Sequence, residues 1–86
     1  MTKYEITLAS SAEKEIDSLP ENVQKRVEKA IDSLISNPRP RGTKKLKGKE
    51  YLYRIRVGDY RIIYVIDDKK HLVDVSYVRH RSHAYF

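Results

Sequence analysis

The first twenty residues change from a strand-like to a helix-like pattern of hydrophobic positions. Residues 4–8 alternate between apolar and polar side chains, which is the period-two pattern of a strand with one buried face. Apolar residues then recur at helical spacing until Pro20, and Ser10 stands three residues before Glu13, a spacing that predicts a capping box. The pattern therefore predicts a first strand followed by a short helix.

A second helix is predicted beyond Pro20 by a single apolar stripe with charged residues on the remaining surface. The stripe consists of Val23, Val27, Ala30, Ile31, Leu34 and Ile35. This helix should end near Asn37, because a proline pushes the preceding residue out of the helical region and Pro38 and Pro40 cannot continue a helix. Two helices joined by a tight turn are expected to form an antiparallel hairpin.

The second half of the chain is strand-like and rich in Tyr, Ile and Val. The three predicted strands cover residues 51–57, 60–66 and 71–78. Residues 41–50, with their lysines and glycines, predict a basic loop without regular structure. We therefore expect an α+β fold over residues 1–86, one domain, with the helix hairpin on one face of a mostly antiparallel four-stranded sheet (β-α-α-β-β-β) and the other face open.

The positive charge is confined to the strand-rich half. The 86 residues include 18 Lys and Arg against 12 Asp and Glu, a net charge of +6. Residues 1–37 hold 5 basic and 7 acidic residues (net −2), so residues 38–86 hold 13 and 5 (net +8). Such a one-sided field favours polyanionic partners, of which nucleic acid is the commonest, although a solubilising surface has a similar composition.

Two absences in the sequence bear on where the protein acts. The chain has no cysteine, which excludes a disulfide framework and thiolate metal sites. No run approaches the roughly 18 apolar residues of a membrane span, and the first residues lack the apolar core of a signal peptide. We therefore expect a cytoplasmic protein that makes no contact with a membrane.

A cluster of arginines follows from the predicted hairpin. If residues 58–59 form a two-residue loop, Arg56 lies directly opposite Arg61, and Arg54 lies one pair further along the same face. Like charges directly opposite each other destabilise a sheet, so folding alone does not explain this face. Arginine presents a planar fork of donors that matches phosphate oxygens, and a phosphate-rich ligand would relieve the conflict.

The alternative explanation needs no ligand. Asp59 and Asp74 are close enough in the predicted sheet for either carboxylate to neutralise the arginines. On that interpretation the arginines are part of an ordinary charged surface.

The last segment, residues 78–86, is dense in groups that transfer protons or bind phosphate. It contains His80, Arg81, His83 and Tyr85. Histidine titrates near neutrality, so general acid-base chemistry is possible here. The two histidines could approach one metal, but no third ligand is indicated and zinc requires three or four, so we predict no metal site.

Several short motifs occur together in this chain. They are Leu46-Lys47-Gly48, the run from Tyr53 to Tyr64, Val78-Arg79-His80-Arg81 and the closing Tyr85. In this combination, and in the order of its elements, the chain resembles the RelE/ParE superfamily of bacterial toxins from toxin–antitoxin modules. The resemblance extends over nearly the whole chain and is closest to the RelE-like mRNA interferases.

The resemblance implies a metal-independent endoribonuclease, with no cofactor, that cuts messenger RNA in the ribosomal A site and so inhibits translation. The 2′-hydroxyl would attack the adjacent phosphate and leave a 2′,3′-cyclic phosphate. It implies three partners: the ribosome with its message, a neutralising antitoxin encoded by the adjacent gene, and operator DNA bound through that antitoxin. Two alternatives remain, namely a ParE-like poison of DNA gyrase without RNase activity and an inert fold member that only binds the antitoxin.

The resemblance also implies roles for individual residues. The catalytic residues would be Arg61, Arg81, Tyr85 and His83. The substrate-binding residues would be Arg54, Arg56, Lys44, Lys45 and Lys47. Either Tyr85 or His83 would be the general base, and a tyrosine with an ordinary pKa near 10 would need the surrounding arginines to lower that pKa.

Overall fold

A computed structural model describes residues 3–46 and 48–83, apart from the side chains of residues 49, 50 and 83. Its elements are β1 (Glu5–Leu8), α1 (Ser10–Asp17), α2 (Glu21–Ser33), β2 (Lys44–Leu46), β3 (Lys49–Val57), β4 (Tyr60–Asp67), β5 (Leu72–His80) and a 3₁₀ turn (Arg81–His83). Neither helix in this part of the chain is long and apolar enough to cross a membrane.

The sheet is mixed, with the strand order β1-β5-β4-β3-β2. β1 pairs with β5 in parallel, and the other neighbours are antiparallel. The helix hairpin connects β1 at one edge to β2 at the other, which is the long crossover that strands far apart in a sheet require. The predicted α+β class and element order are confirmed, but the described sheet has five strands where we predicted four.

The additional strand lies in the segment predicted to be a loop. Residues 41–50 include β2, in which Lys44 and Lys45 pair with β3 and Leu46 is buried. β3 also begins at Lys49, two residues earlier than predicted. The lysine-rich segment has low strand propensity, so backbone pairing with β3 and the burial of one leucine stabilise a strand that local sequence does not favour.

The predicted capping box at the start of α1 is wrong. Ala9 occupies the N-cap position and no side chain caps the helix. The Ala9 N–H donates to the carbonyl of Val75, so hydrogen bonding to β5 continues one residue beyond β1. The helix begins at the next residue, Ser10, which leaves Ala9 as the N-cap. The next hydroxyl, that of Ser11, donates to the carbonyl of Ser76 and further ties the helix start to β5.

The main hydrophobic core lies between the helix hairpin and one face of the sheet. The side chains there with no exposed surface are Ala12, Val27, Leu34, Ile62, Tyr64, Val73 and Val75. Full burial of a large apolar side chain stabilises the fold by about 1.5–3 kcal/mol. The buried Tyr64 hydroxyl donates to the carbonyl of Pro38 at 2.8 Å, so the one polar group in this set is satisfied.

The opposite face of the sheet is partly closed, contrary to the prediction of an open face. Leu46, Leu52 and Ile63 are buried there, with Val65 and Tyr77 packed against them. This second cluster covers the part of the face that lies away from the β3–β4 turn. The arginines are therefore restricted to the other part, next to the turn.

An ion pair joins the segment after α2 to the turn between β4 and β5. Both Nη atoms of Arg39 donate to the Asp68 carboxylate, at 3.1 and 2.9 Å, and the Tyr4 hydroxyl donates to the same carboxylate at 2.7 Å. Arg39 also donates to the Tyr53 hydroxyl at 3.3 Å. The hydrogen bonds from Arg39 and Tyr4 lower the pKa of Asp68 to about 2.

We predict that the Asp68 carboxylate makes the free energy of unfolding depend on pH in the acidic range. Its pKa falls from 3.8 in the unfolded chain to about 2 in the folded one, so its stabilising effect is complete above about pH 4 and is lost as the pH falls to 2. Urea unfolding at pH 7, 4, 3 and 2 should show that Asp68→Asn is less stable than the original chain and that the difference disappears with acid. The exposed Asp32→Asn is the control, and an equal loss in both variants would contradict the prediction.

Candidate anion-binding site

The β3–β4 hairpin has the predicted register. Gly58 takes a φ of 59°, the left-handed conformation that two-residue hairpin loops require. Arg56 is directly opposite Arg61, and Arg54 is opposite Ile63. Residues two apart on a strand share a face, so the three arginines lie on the side of the sheet away from the helices.

A fourth arginine, which the sequence analysis missed, continues the row onto β5. Arg79 is directly opposite Arg61 in the β4–β5 pair. We predicted that β5 ends at Val78, and the β4–β5 register shifts between Ile63 and Tyr64, so no turn-based argument places Arg79. Its position next to Val78 in the motif quoted above was the only available signal.

The lysines of the predicted basic loop separate onto the two faces. Lys44 is opposite Arg54, on the arginine side, whereas Lys45 is opposite Tyr53 and so lies on the helix side. Lys47 is outside the described residues. We use the name basic face for the following five side chains: Lys44, Arg54, Arg56, Arg61 and Arg79.

The neutralisation alternative is not supported by the described contacts. The Asp74 carboxylate accepts the Thr7 hydroxyl at 2.6 Å. The Asp59 carboxylate is 3.8 Å from the Nε of Arg81. Among the described side chains, those of residues 3–46, 48 and 51–82, no ion pair includes any of the three hairpin arginines. Their charges therefore face one another without an acidic partner in the described part of the chain.

Burial makes this lack of a partner costly. The Nε of Arg61 is buried and has no hydrogen-bond acceptor among the described residues, and an unsatisfied buried donor costs about 1–3 kcal/mol. Burial, together with the positive charges of Arg56 and Arg61, lowers the pKa of Arg54. An anion would supply both the missing acceptor and the missing negative charge.

A cavity of about 220 Å³ opens between the hairpin turn and the 3₁₀ turn. Its lining includes Arg56, Arg61 and Arg81, together with Gly58, Asp59 and Tyr60. The backbone N–H of Arg81 donates to the carbonyl of Asp59 at 2.7 Å, which attaches the segment after β5 to the turn. The structure thus brings together three of the predicted site residues, from three different parts of the chain.

The predicted proton-transfer residues are not placed by the structure. Tyr85 lies outside the described residues, and so does the side chain of His83, whose backbone belongs to the 3₁₀ turn. The structure therefore describes the arginines of the predicted site, for which phosphate binding stays a prediction. The choice between these two residues as general base stays a prediction.

Comparison with known proteins identifies the family. Residues 6–85 match the family model described as "ParE toxin of type II toxin-antitoxin system, parDE". The chain belongs to this toxin family. The resemblance to the RelE/ParE superfamily that we inferred from the motifs is thereby confirmed.

Individual relatives match over almost their whole length. The chain is 32% identical over 83 residues to Toxin RelE of Mycobacterium tuberculosis, which covers 95% of this chain and 86% of the relative. It is similar to the RelE chain of the RelE–RelB complex of Pyrococcus horikoshii (TM-score 0.83, 32% identity, 98% and 100% covered). It is also similar to the isolated RelE toxin of Escherichia coli (TM-score 0.78, 28% identity, 90% and 83% covered). These similarities confirm the RelE-like fold.

We predict that a phosphate anion stabilises this protein through Arg61. Inorganic pyrophosphate at ten times its Kd should raise the free energy of unfolding by about 1.4 kcal/mol. In Arg61→Met the ligand effect should vanish. The unliganded variant should gain up to about 1 kcal/mol, because the like-charge pair is removed. Thermal unfolding with and without pyrophosphate measures both effects.

Arg41→Met is the matched control, since Arg41 is exposed in the turn before β2 and outside the basic face. It removes the same charge and should leave the pyrophosphate effect intact. Equal stabilisation of the Arg61 and Arg41 variants by pyrophosphate would show that the ligand responds only to net charge.

Proposed function

We propose that this toxin-family protein is an endoribonuclease that cuts messenger RNA on the ribosome, in the cytoplasm, and thereby inhibits translation. The observation that carries the proposal is the buried, unpartnered Nε of Arg61 beside the cavity that Arg56 and Arg81 also line. These donors converge where a phosphodiester can be held from several sides. A charged surface that served only solubility would not bury one of its donors.

The proposed reaction uses the 2′-hydroxyl of the RNA as the nucleophile. It attacks the adjacent phosphorus, the bond to the 5′-oxygen of the next nucleotide breaks, and a 2′,3′-cyclic phosphate and a 5′-hydroxyl result. Arg56 and Arg61 would stabilise the additional negative charge on the phosphate oxygens in the transition state. The general base would be Tyr85 or His83, and the leaving oxygen would take up a proton, with Arg81 next to it as stabiliser or acid.

The order of the side chains suggests how RNA lies on the protein. Lys44 and Arg54 extend the basic face from the cavity toward the edge strand β2. Contacts from these cations to phosphates would carry no sequence information and would weaken with salt. They would serve ribosomal or messenger RNA on either side of the cleaved bond.

We further propose a cognate antitoxin as the protein partner. RelE chains similar to this one were solved in complex with RelB from Mycobacterium tuberculosis, Pyrococcus horikoshii and Methanococcus jannaschii. A basic face on so small a domain is complementary to an acidic or amphipathic segment. The complex would bind operator DNA through the antitoxin.

A second candidate function comes from the description of the family model, which names ParE. On this alternative the protein poisons DNA gyrase by binding it and cuts no RNA. The basic face would then be a protein-binding surface, and the unpartnered Arg61 Nε would meet a carboxylate of the target.

We predict that Arg61→Ala and Arg81→Ala each lower mRNA cleavage on purified ribosomes. Loss of one pre-placed donor to a transition-state oxyanion costs about 10²–10³ in kcat, and Arg61 should be the more sensitive because its Nε is buried. Primer extension on a ribosome-bound message measures the rate.

Arg41→Ala is again the control and should cut at the original rate. Undiminished cleavage in both site variants would contradict the assignment of the site. Intact messages together with gyrase-linked DNA breaks would contradict the nuclease and support the gyrase alternative.

We also predict that the product of the adjacent gene forms a stable complex with this chain on coexpression. Because the partner would cover the basic face, pyrophosphate should no longer stabilise the toxin within the complex. Co-purification followed by thermal unfolding with pyrophosphate tests both parts. A failure to form a complex would contradict the proposed partner, and an undiminished pyrophosphate effect would contradict its proposed position.

A further inference from the structure

Glu15 connects the helix hairpin to the strand that carries Arg79. Its Oε1 accepts the backbone N–H of Val78 at 2.8 Å, and its Oε2 accepts the Nε of Arg79 at 3.1 Å. The pairing of β1 with β5 ends at Val75, so this part of β5 has no neighbouring strand on the α1 side. The carboxylate of Glu15 takes the place of a strand there and satisfies the exposed N–H.

The ion pair is better shielded than the others of the described chain. The side chains of Arg79 and Glu15 are 30% and 27% exposed, whereas both side chains of every other ion pair among the described residues are more than 40% exposed. Shielding strengthens a charge-assisted hydrogen bond, because solvent and salt screen it less. The contact therefore restricts the orientation of the guanidinium more than a fully exposed ion pair would.

A cation–π contact and the strand register further define where Arg79 lies. Its central carbon is 4.3 Å from the centre of the Tyr77 ring, a cation–π contact on the face away from the helices. Arg79 is also directly opposite the incompletely satisfied Arg61. Glu15 engages the Nε of Arg79, and no described hydrogen bond or ion pair involves its two Nη groups.

We propose that Glu15 is a positioning residue: it holds Arg79 at the edge of the anion site so that its Nη groups bind the phosphate next to the one held by Arg61. The site then spans two neighbouring phosphates of one strand. This inference rests on the proposed function for the identity of the substrate, but the orientation of Arg79 by Glu15 is independent of any cleavage.

The matched variants are Glu15→Gln and Glu13→Gln. Both remove one negative charge from α1, but Glu13 is exposed, and the described hydrogen bonds and ion pairs between an α1 carboxylate and β5 all come from Glu15. Glutamine at position 15 has an NH₂ donor in place of one of the two carboxylate oxygens that accept Val78 and Arg79, and it carries no negative charge. Loss of the charge weakens the bond to the cationic guanidinium more than the bond to the neutral Val78 N–H. We therefore expect the variant to release Arg79 while the helix and strand remain in place.

The first measurement is the side-chain ¹H–¹⁵N resonance of the Arg79 Nε during titration with inorganic pyrophosphate. We expect a resolved resonance that shifts with pyrophosphate in the original chain and in Glu13→Gln. In Glu15→Gln it should be broadened by exchange, while the Arg61 resonance still responds. An unchanged Arg79 resonance and titration in Glu15→Gln would overturn the proposal, whether or not the protein cuts RNA.

The second measurement is the cleavage rate at saturating ribosomes. Misplacement of a substrate-positioning group lowers kcat, here by about tenfold. The KM should stay within about twofold, because removal of a negative charge favours RNA binding and offsets the weaker contact from the released Arg79. In an Arg79→Ala background Glu15→Gln should have no further effect on kcat. A purely structural role would lower kcat in both backgrounds and would overturn the proposal. Absence of cleavage in the original chain would contradict the proposed function and leave the resonance test as the decisive one.

Discussion

The repulsion between Arg56 and Arg61 is the constraint on which the rest of the site depends. A two-residue loop leaves the two strands no choice of register, so the two charges are directly opposite each other. The pair destabilises the sheet by up to about 1 kcal/mol, and no described acidic side chain relieves it. Two contacts lie next to this excess of positive charge. The backbone of Arg81 is hydrogen-bonded to the turn, and Glu15 binds Arg79 at the edge of the sheet.

The two faces of the sheet differ in what they contribute: the helix side stabilises the fold, and the other side carries the candidate anion site. The helix side contains the large core, in which even the Tyr64 hydroxyl is satisfied. The other side has a small apolar cluster around Ile63 and, next to it, the unneutralised arginines. Because folded domains are stable by only about 5–15 kcal/mol, a chain of 86 residues can carry such a site only if the opposite face is well packed.

Prediction from sequence succeeded where the determinants are close together along the chain. The Gly58 turn, the hairpin register and the apolar stripe from Val23 to Leu34 each depend on residues close together in sequence, and each was confirmed, although α2 ends at Ser33 and not near Asn37 as predicted. β2, the start of α1 and the position of Arg79 were not predicted. In each case a neighbouring strand supplies the hydrogen bonds that decide the local conformation: β3 pairs with β2, β5 accepts the Ala9 N–H before α1, and β4 pairs with the end of β5.

The sequence by itself determined the fold class and the juxtaposition of Arg56 with Arg61, because periodicity and turn geometry are local properties, and its motifs carried the resemblance to the toxin family. Only the tertiary structure decided that the Arg61 Nε is buried without an acceptor and that Arg81 shares a cavity with the hairpin arginines. The pairing of Glu15 on α1 with Arg79 on β5 was likewise decided only by the tertiary structure. Burial and ion pairing depend on which distant segments pack together, and the 64 positions that separate these two residues are bridged by the parallel pairing of β1 with β5.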